Sequence, residues 1–405
     1  MILKSCRKAY KNETQRTISP EDTLARIEKT MPVAGITRVA DITQLDRIGI
    51  PVFSSIRPTA DTGAVSVYNG KGATPTEARV SAMMEGIERY SSEVLDRTLT
   101  TCRFREINGN SPAVDPASLI LPARADPEMP VPWVAGFDIS RDEEVLVPAS
   151  AVFHPLPKQY PQLFRTSTNG LASGNTLEEA IFHALMEVIE RDAWSLVEVT
   201  RNTGPKVVRI DDALSGSLLA KFDNANVEVQ IKNITSDIGI PTIAAVSDDI
   251  QLKDPGLLTI GMGTHTSTRI AVLRALTEVA QSRLTQIHGA REDTTVADVR
   301  KKLGYERSRR LNKYWFDARS EVSFGDIASC DSDDFLKDIR AAIDALKARG
   351  LDRVIAVDLT RPEIGVPVVR VIVPGLETYA MDQERIGRRC HDARNRRLSG
   401  AQPET

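Results

Sequence analysis

The sequence predicts a mixed α/β protein, one large unit with a small N-terminal addition. Three observations carry that prediction. Long helix-like stretches alternate with short Val- and Ile-rich runs of strand length. One helical segment occurs twice. No low-complexity linker divides the chain. The 405 residues are 41% hydrophobic and 26% charged, which excludes a mainly disordered or fibrous chain.

The elements follow in order. Thr17 to Lys29 reads as a short helix, with Ser19 as cap, Pro20 at the first helical position and Asp22 at the positive end. Ile36 to Ile56 reads as short strands broken by Gly49-Ile50-Pro51. Ala64 to Tyr68 alternates like a strand, and Asn69 to Gly72 reads as a turn. A first long helix is predicted from Pro75 to Leu95, then a Pro- and Asp-rich loop from Asn108 to Pro132. Strands are expected at Trp133–Phe137 and Glu144–Val147, and a second long helix at Leu177–Val199. Further strands fall at Val207–Ile210, Val227–Ile231 and Thr242–Val246. Gly261-Met262-Gly263 reads as a turn before a third long helix, Thr268–His288. A fourth helix, Asp333–Arg349, precedes strands at Arg353–Asp358 and Val366–Val373. The tail from Glu384 to Arg397 carries six arginines against two acids and reads as an idle, solvated helix.

Composition narrows the function. Lys and Arg number 52 against 55 Asp and Glu, for a net charge of −3. A general nucleic-acid coat needs a basic excess, which is absent. No apolar run approaches the roughly 18 residues of a membrane span. The N-terminus has no apolar core after its charges, so no secretory signal is expected. Cys6, Cys102, Cys330 and Cys390 lie far apart without a C-x-x-C pair, which excludes a zinc ribbon or thioredoxin-type site. Reduced thiols in a cytoplasmic protein are the expectation.

The duplicated segment carries the chemistry. Gly72–Arg89 (GATPTEARVSAMMEGIER) matches Gly174–Arg191 (GNTLEEAIFHALMEVIER) at ten of eighteen positions. Ala271–Arg283 is a weaker third copy, in which Glu278 falls on Glu187 and Gln281 replaces Glu190. Each strong copy opens with Thr-x-x-Glu, a capping box, so Glu77 and Glu179 have a possible role as cap partners alone. On a helical wheel Glu179, His183, Glu187 and Glu190 share an arc of about 80°, opposite Leu177, Ile181, Ala184, Leu185 and Val188. Glu178 lies off that arc. Ser81, Glu85 and Glu88 form the same stripe on the first copy.

Such a stripe has two readings. It is the solvated face of an amphipathic helix, or it is a binding surface. A solvated face need only be polar, yet both copies keep Glu at the same places. Carboxylates concentrated this way repel unless a cation lies between them, and hard oxygen ligands without His or Cys suit Mg²⁺. Arg89, Arg191, Arg274 and Arg283 could hold phosphate oxygens. Ordinary nucleotide motifs are absent. Asn69–Thr74 lacks the P-loop spacing, and there is no G-x-G-x-x-G. His265 and His288 read as structural or exposed, and no Ser/His/Asp or Cys/His arrangement can be assembled.

The pieces NGKGAT (69–74), SAMMEGIER (81–89), GNTLEEAIFHALMEVIER (174–191) and RALTEVAQSR (274–283) resemble the YcaO family of ATP-dependent peptide-backbone modifying enzymes. The similarity runs from about Thr14 to Glu377. It implies mixed, largely antiparallel sheets packed with long helices around an ATP site built without a P-loop. Residues 1–60 would contribute to the nucleotide site, 61–380 would form the catalytic domain, and 381–405 a basic tail. By position, Glu85, Glu88, Glu179, Glu187 and Glu190 resemble the Mg²⁺ set. Asn175 and Arg191 resemble nucleotide or phosphate contacts, Ser81 a nucleotide contact, and Arg283 a phosphate ligand. Arg16 and Thr23 sit where the family places a basic and a hydroxyl residue near ATP, although Arg16 replaces the lysine of some members. A homodimer is implied as well.

The chemistry implied is amide activation: a nucleophile adds to the amide carbon, the resulting oxygen is phosphorylated, and phosphate leaves. A side-chain nucleophile gives an azoline, and external sulfide a thioamide. Azoline-forming members often carry a P-x-P-x-P tail, whereas this chain ends LSGAQPET. Residues 35–58 are similar to stand-alone and TfuA-associated members, notably archaeal proteins that thioamidate a glycine of the methyl-coenzyme M reductase alpha subunit. The expectation is therefore thioglycine formation with Mg²⁺ and ATP, an outside sulfur donor and a TfuA-type partner. Two alternatives stand beside it: azoline or thioamide formation on a ribosomally made peptide, and a non-catalytic ATP-binding adaptor.

Overall fold

A computed structural model describes residues 1–107, 111–292, 295–317 and 320–399, without the side chains of 295–298. Residues 108–110 of the predicted loop and 400–405 of the tail lie outside the described residues.

Three antiparallel-rich sheets and three long helices make the frame. The first sheet orders Arg38–Asp41, Val52–Ile56 and Val67–Lys71, all antiparallel. The second orders Thr100–Cys102, Val131–Asp138, Ile355–Asp358, Val368–Ile372 and Leu171–Ser173, with Glu143–Pro148 paired to Val131–Asp138. The third orders Thr259–Thr264, Thr242–Asp248, Glu228–Asn233, Lys206–Val208 and Glu321–Ser323, the last pair parallel. This is the mixed, largely antiparallel α/β architecture expected.

One edge strand of each sheet runs directly into a long helix. Val67–Lys71 leads to Pro75–Ser91, Leu171–Ser173 to Leu177–Thr200, and Thr259–Thr264 to Thr268–His288. Every connection is three residues long: 72–74, 174–176 and 265–267. The weak third copy is thus a full structural copy. Thr74 and Thr176 cap their helices by accepting from the backbone N–H of Glu77 and Glu179. Glu77 completes the capping box by accepting from Thr74 N–H.

Two strands differ from expectation for one reason. Asn69–Gly72 and Gly261–Gly263 read as turns because glycine marks turns. Here Gly70 and Gly261 lie inside strands, where the missing Cβ lets a helix sit on the backbone. A Cβ at Gly70 would fall 1.9 Å from Ala82 N, and at Gly261 2.2 Å from Val279 N. Ala213–Asn224, capped by Asp212, was not expected as a helix.

The core lies between the sheets and the inner faces of these helices. Ala180, Ile181, Ala184, Leu185 and Val188 of the second long helix pack with Phe335, Ile339 and Ile343 of Phe335–Lys347. The N-terminal arm is pinned by Lys8, whose ammonium pairs with Asp338 and lies 5.3 Å from the ring centres of Phe182 and Phe335. The basic tail is not idle. Arg389 of helix Arg388–Ser399 grips Asp192 at 2.9 and 2.8 Å, and Cys390 is buried behind it. Among the described residues no helix is long and apolar enough to cross a membrane.

Candidate functional site

The three long helices bring matched positions to one cleft. Counted from its helix start, Ser81 corresponds to His183 and Arg274, Glu85 to Glu187 and Glu278, and Glu88 to Glu190 and Gln281. All nine line two joined cavities of about 240 and 460 Å³. The smaller also takes Glu13, Thr14, Arg16 and Thr23 from the N-terminal arm, with Asn175 and Glu179. The larger takes Arg89, Arg191 and Trp194.

Burial decides between the two readings of the acidic stripe. Glu179 is 1%, Glu190 3% and His183 7% exposed, so the second helix is covered on both faces. A solvated face is excluded there. The electrostatics follow from that burial. Glu88 is pushed up to about 7 by burial and then by Glu85, while Ser173 N–H and Oγ–H donate to it at 3.0 and 2.7 Å. Glu190 is also pushed up to about 7, by burial and then by Glu278. Burial raises Glu187 too. His183 is held far below its ordinary value by burial and by Arg16, which it contacts, so it is neutral. The site is short of positive charge near Glu88 and Glu190.

The arginines show the opposite lack. Arg89 reaches Glu85 at 2.9 Å, and Arg191 reaches Glu190 at 3.9 Å and Glu187 at 4.0 Å. Yet Nε and Nη1 of Arg89, Nε of Arg191 and Nε of Arg274 are buried with no partner. Unpaired guanidinium donors want oxyanions, and raised carboxyls want a cation. A Mg²⁺-bound polyphosphate supplies both, so the residues fit that group. Among the described residues, no three acidic, His or Cys side chains lie close enough to hold a metal alone.

Other sequence-predicted residues fall into different roles. Thr23 donates to Ser19 O at 2.9 Å and to Asn175 Oδ1 at 3.3 Å. Asn175 Nδ2 donates to Glu179 at 3.3 Å. Glu179 oxygens already accept from Thr17 N–H and Oγ–H at 2.9 and 2.8 Å, so this carboxylate ties the N-terminal arm to the second helix. Arg16 lies 3.6 Å from Glu179. Glu178, off the arc, accepts from Lys4 N–H at 2.8 Å and so anchors the chain start.

Arg283 is the exception. It is fully buried, pairs with Asp46 at 2.8 Å and Asp249 at 3.1 Å, and is not among the cleft-lining residues. It lies between cleft-lining Ser282 and Thr285 on the third long helix but points to the other side, to the first sheet's loop and Asp249. Arg274 stands in the cleft where a phosphate ligand was sought. Its register with Ser81 and His183 was the signal. Lys71, paired with Glu278, lies within the NGKGAT piece but is not singled out by it, and Ser173 gave no signal in the sequence.

The comparisons agree with this geometry. The profile of the YcaO cyclodehydratase family, ATP- and Mg²⁺-binding, matches residues 69–377. An uncharacterised protein of Methanothermobacter thermautotrophicus is 52% identical over 93% of this chain and 99% of its own length. An uncharacterised protein in the tfuA 3′ region of Rhizobium leguminosarum bv. trifolii is 33% identical over 89% of this chain and 88% of its own. The structure of YcaO from Methanopyrus kandleri bound with AMPPCP and Mg²⁺ superposes with a TM-score of 0.80 at 30% identity, covering 95% of this chain and 98% of that one. The chain belongs to the YcaO family of ATP-dependent peptide-modifying enzymes, with ATP as its nucleotide and Mg²⁺ as its metal.

Proposed function

We propose that this chain activates a peptide-backbone amide with ATP and exchanges its oxygen for sulfur, forming thioglycine in the methyl-coenzyme M reductase alpha subunit. One observation carries the activation step: half-buried to buried carboxylates from three equivalent helices share one cleft with arginines that keep unpartnered nitrogens. In this reading Glu85, Glu88, Glu187 and Glu190 hold Mg²⁺, while Arg89, Arg191 and Arg274 hold phosphate oxygens. Glu179, Thr23 and Asn175 keep the N-terminal arm, with Arg16, against the nucleotide. Ser81 contributes a hydroxyl to the same wall.

Bound Mg²⁺-ATP supplies an electrophilic phosphorus that converts the amide oxygen into a leaving group. The chain's own part is alignment and charge neutralisation. Its carboxylates would hold the cation, and its guanidinium groups would neutralise the phosphate oxygens where negative charge grows.

Support for sulfur as the nucleophile comes from relatives. The 52% identical protein belongs to a methanogen, and the 33% identical one is named for its place beside tfuA. A TfuA-type partner and an outside sulfur donor fit that neighbourhood. The family description, a cyclodehydratase, favours a second reading: azoline formation by a side chain of the peptide itself.

The test combines the chain, Mg²⁺-ATP, sulfide and a glycine peptide from the reductase alpha subunit. ADP release that needs both peptide and sulfide, with a peptide mass raised by oxygen-to-sulfur exchange, is expected. Sulfide-independent loss of one water from a Cys- or Ser-bearing peptide moves the assignment to azoline formation. ADP release indifferent to peptide overturns both.

A further inference from the structure

A third cavity, of about 230 Å³, borders the acidic cleft and shares Arg89, Thr168 and Arg291 with it. Arg89 thus lies at the border of both. This chamber draws on strand Val67–Lys71 through Tyr68, on the first long helix through Arg89, and on the loops carrying His154 and Thr378.

Its polar groups are short of partners. Tyr68 is fully buried, and its hydroxyl makes no hydrogen bond. Thr378 Oγ1 is likewise buried and unpartnered, as are Arg89 Nε and Nη1. Buried polar atoms normally find a partner, so several without one in a single chamber need a reason. All of them can donate. His154 is occupied: its Nδ1 lies 3.0 Å from Thr166 Oγ1, and burial, then Arg89, lower it to about 4, so it adds no charge. The chamber therefore wants acceptor oxygens.

Two kinds of ligand bring them: a compact anion, or a chain of carbonyl groups. The donors come from three separate elements, which suits oxygens spaced along a backbone better than a single anion. Arg165, Arg291, Arg385 and Asp382 also line the chamber, and Arg385 is already spent on the carbonyls of Leu119 and Ile120. Val65 and Met381 add apolar wall.

We infer that this chamber seats the peptide segment to be modified, with Tyr68, Thr378 and Arg89 donating to its backbone carbonyls and Arg89 placing one carbonyl beside the phosphate cleft. This rests on the amide-activation reading above and names where the amide sits. Tyr68 is a substrate-positioning residue in it.

The test uses capped triglycine, which offers only backbone groups, and the full chain loaded with Mg²⁺ and AMPPCP. Binding of each ligand is measured separately, the peptide by saturation-transfer NMR. Tyr68→Phe and Thr378→Val are each expected to weaken peptide binding roughly three- to tenfold, one hydrogen bond's worth, and to leave AMPPCP affinity unchanged. A purely structural role predicts something else. Removing an unpartnered hydroxyl is neutral or stabilising for the fold, so the melting temperature should not fall. Unchanged peptide affinity in both variants overturns the assignment. So does peptide binding that is absent from the wild-type chain, or inorganic phosphate displacing the peptide at lower concentration than a second peptide does. Failure of AMPPCP to bind the wild-type chain would instead sink the amide-activation reading, and it shows before peptide is added.

Discussion

Glu190 and Glu88 are carboxyls that the free protein resists charging, so protons and Mg²⁺ compete for them. Both sit near 7 in the fold against 4.5 for an unperturbed glutamate. A raised value means the folded chain holds the proton more tightly than the unfolded one. Their contribution to stability is full below 4.5 and is lost as pH rises through 7. The melting temperature of the metal-free protein should therefore fall between about pH 5 and 8, and Glu88→Gln or Glu190→Gln should flatten that slope. Mg²⁺ and AMPPCP should release protons on binding near pH 6, seen as a buffer-dependent calorimetric enthalpy. Glu187→Gln should weaken Mg²⁺-AMPPCP at least about tenfold while keeping the fold, since a glutamine cannot balance the cation. Arg283 gives the contrast. Its guanidinium neutralises Asp46 and Asp249 in the interior. Arg283→Met should cost about 3–5 kcal/mol in urea unfolding, with nucleotide affinity unchanged in the folded fraction. A selective loss of nucleotide affinity instead would restore the phosphate role.

At the scale of elements, the unit is a strand, a three-residue connection and a helix, used three times. The sequence showed two copies clearly because both keep Thr, Glu, Glu and Arg at fixed spacing. The third was faint because its side chains diverged: Arg274 stands for Ser81 and His183, and Gln281 for Glu88 and Glu190. What persisted was backbone spacing, which identity counts do not register. The helices themselves were legible from periodicity, and Thr268–His288 matches its expected bounds. The strands beneath were less so, since Gly70 and Gly261 carry the helix contact and look like turns. That contact is testable. Gly261→Ala places a methyl against Val279 N, where only backbone can yield. It should destabilise by at least about 1–3 kcal/mol and shift the third helix, so that Glu278 and Arg274 leave the cleft and nucleotide affinity falls with stability. Ala at Gly216, with open space around it, should do neither.

For the whole molecule, both ends of the chain are braces for the cleft. The N-terminal arm brings Arg16 and Thr17 to the second helix and is held by buried Lys8. The C-terminal helix acts from behind. Asp192 follows Arg191 directly in the second long helix and is fully buried. It accepts from Arg389 twice and from Glu377 N–H at 3.0 Å, while Glu377 accepts from Gly387 and Cys390 N–H at 2.8 and 2.9 Å. Burial raises Asp192, and Arg389 opposes that shift only in part. Counting charges along the tail could not reveal this, because five of its six arginines look interchangeable with the sixth until the chain is folded. Arg389→Met strands a carboxylate in the interior and should cost about 3–5 kcal/mol. Arg388→Ala removes an exposed i,i+4 pair with Asp392 and should change stability by no more than about 0.5 kcal/mol. Urea unfolding of the two variants side by side decides it. Equal, small effects would return the tail to the solvent-facing role its composition suggested. A large loss at Arg389 alone would make the tail a structural part of the ATP site, acting through the backbone that carries Glu187, Glu190 and Arg191.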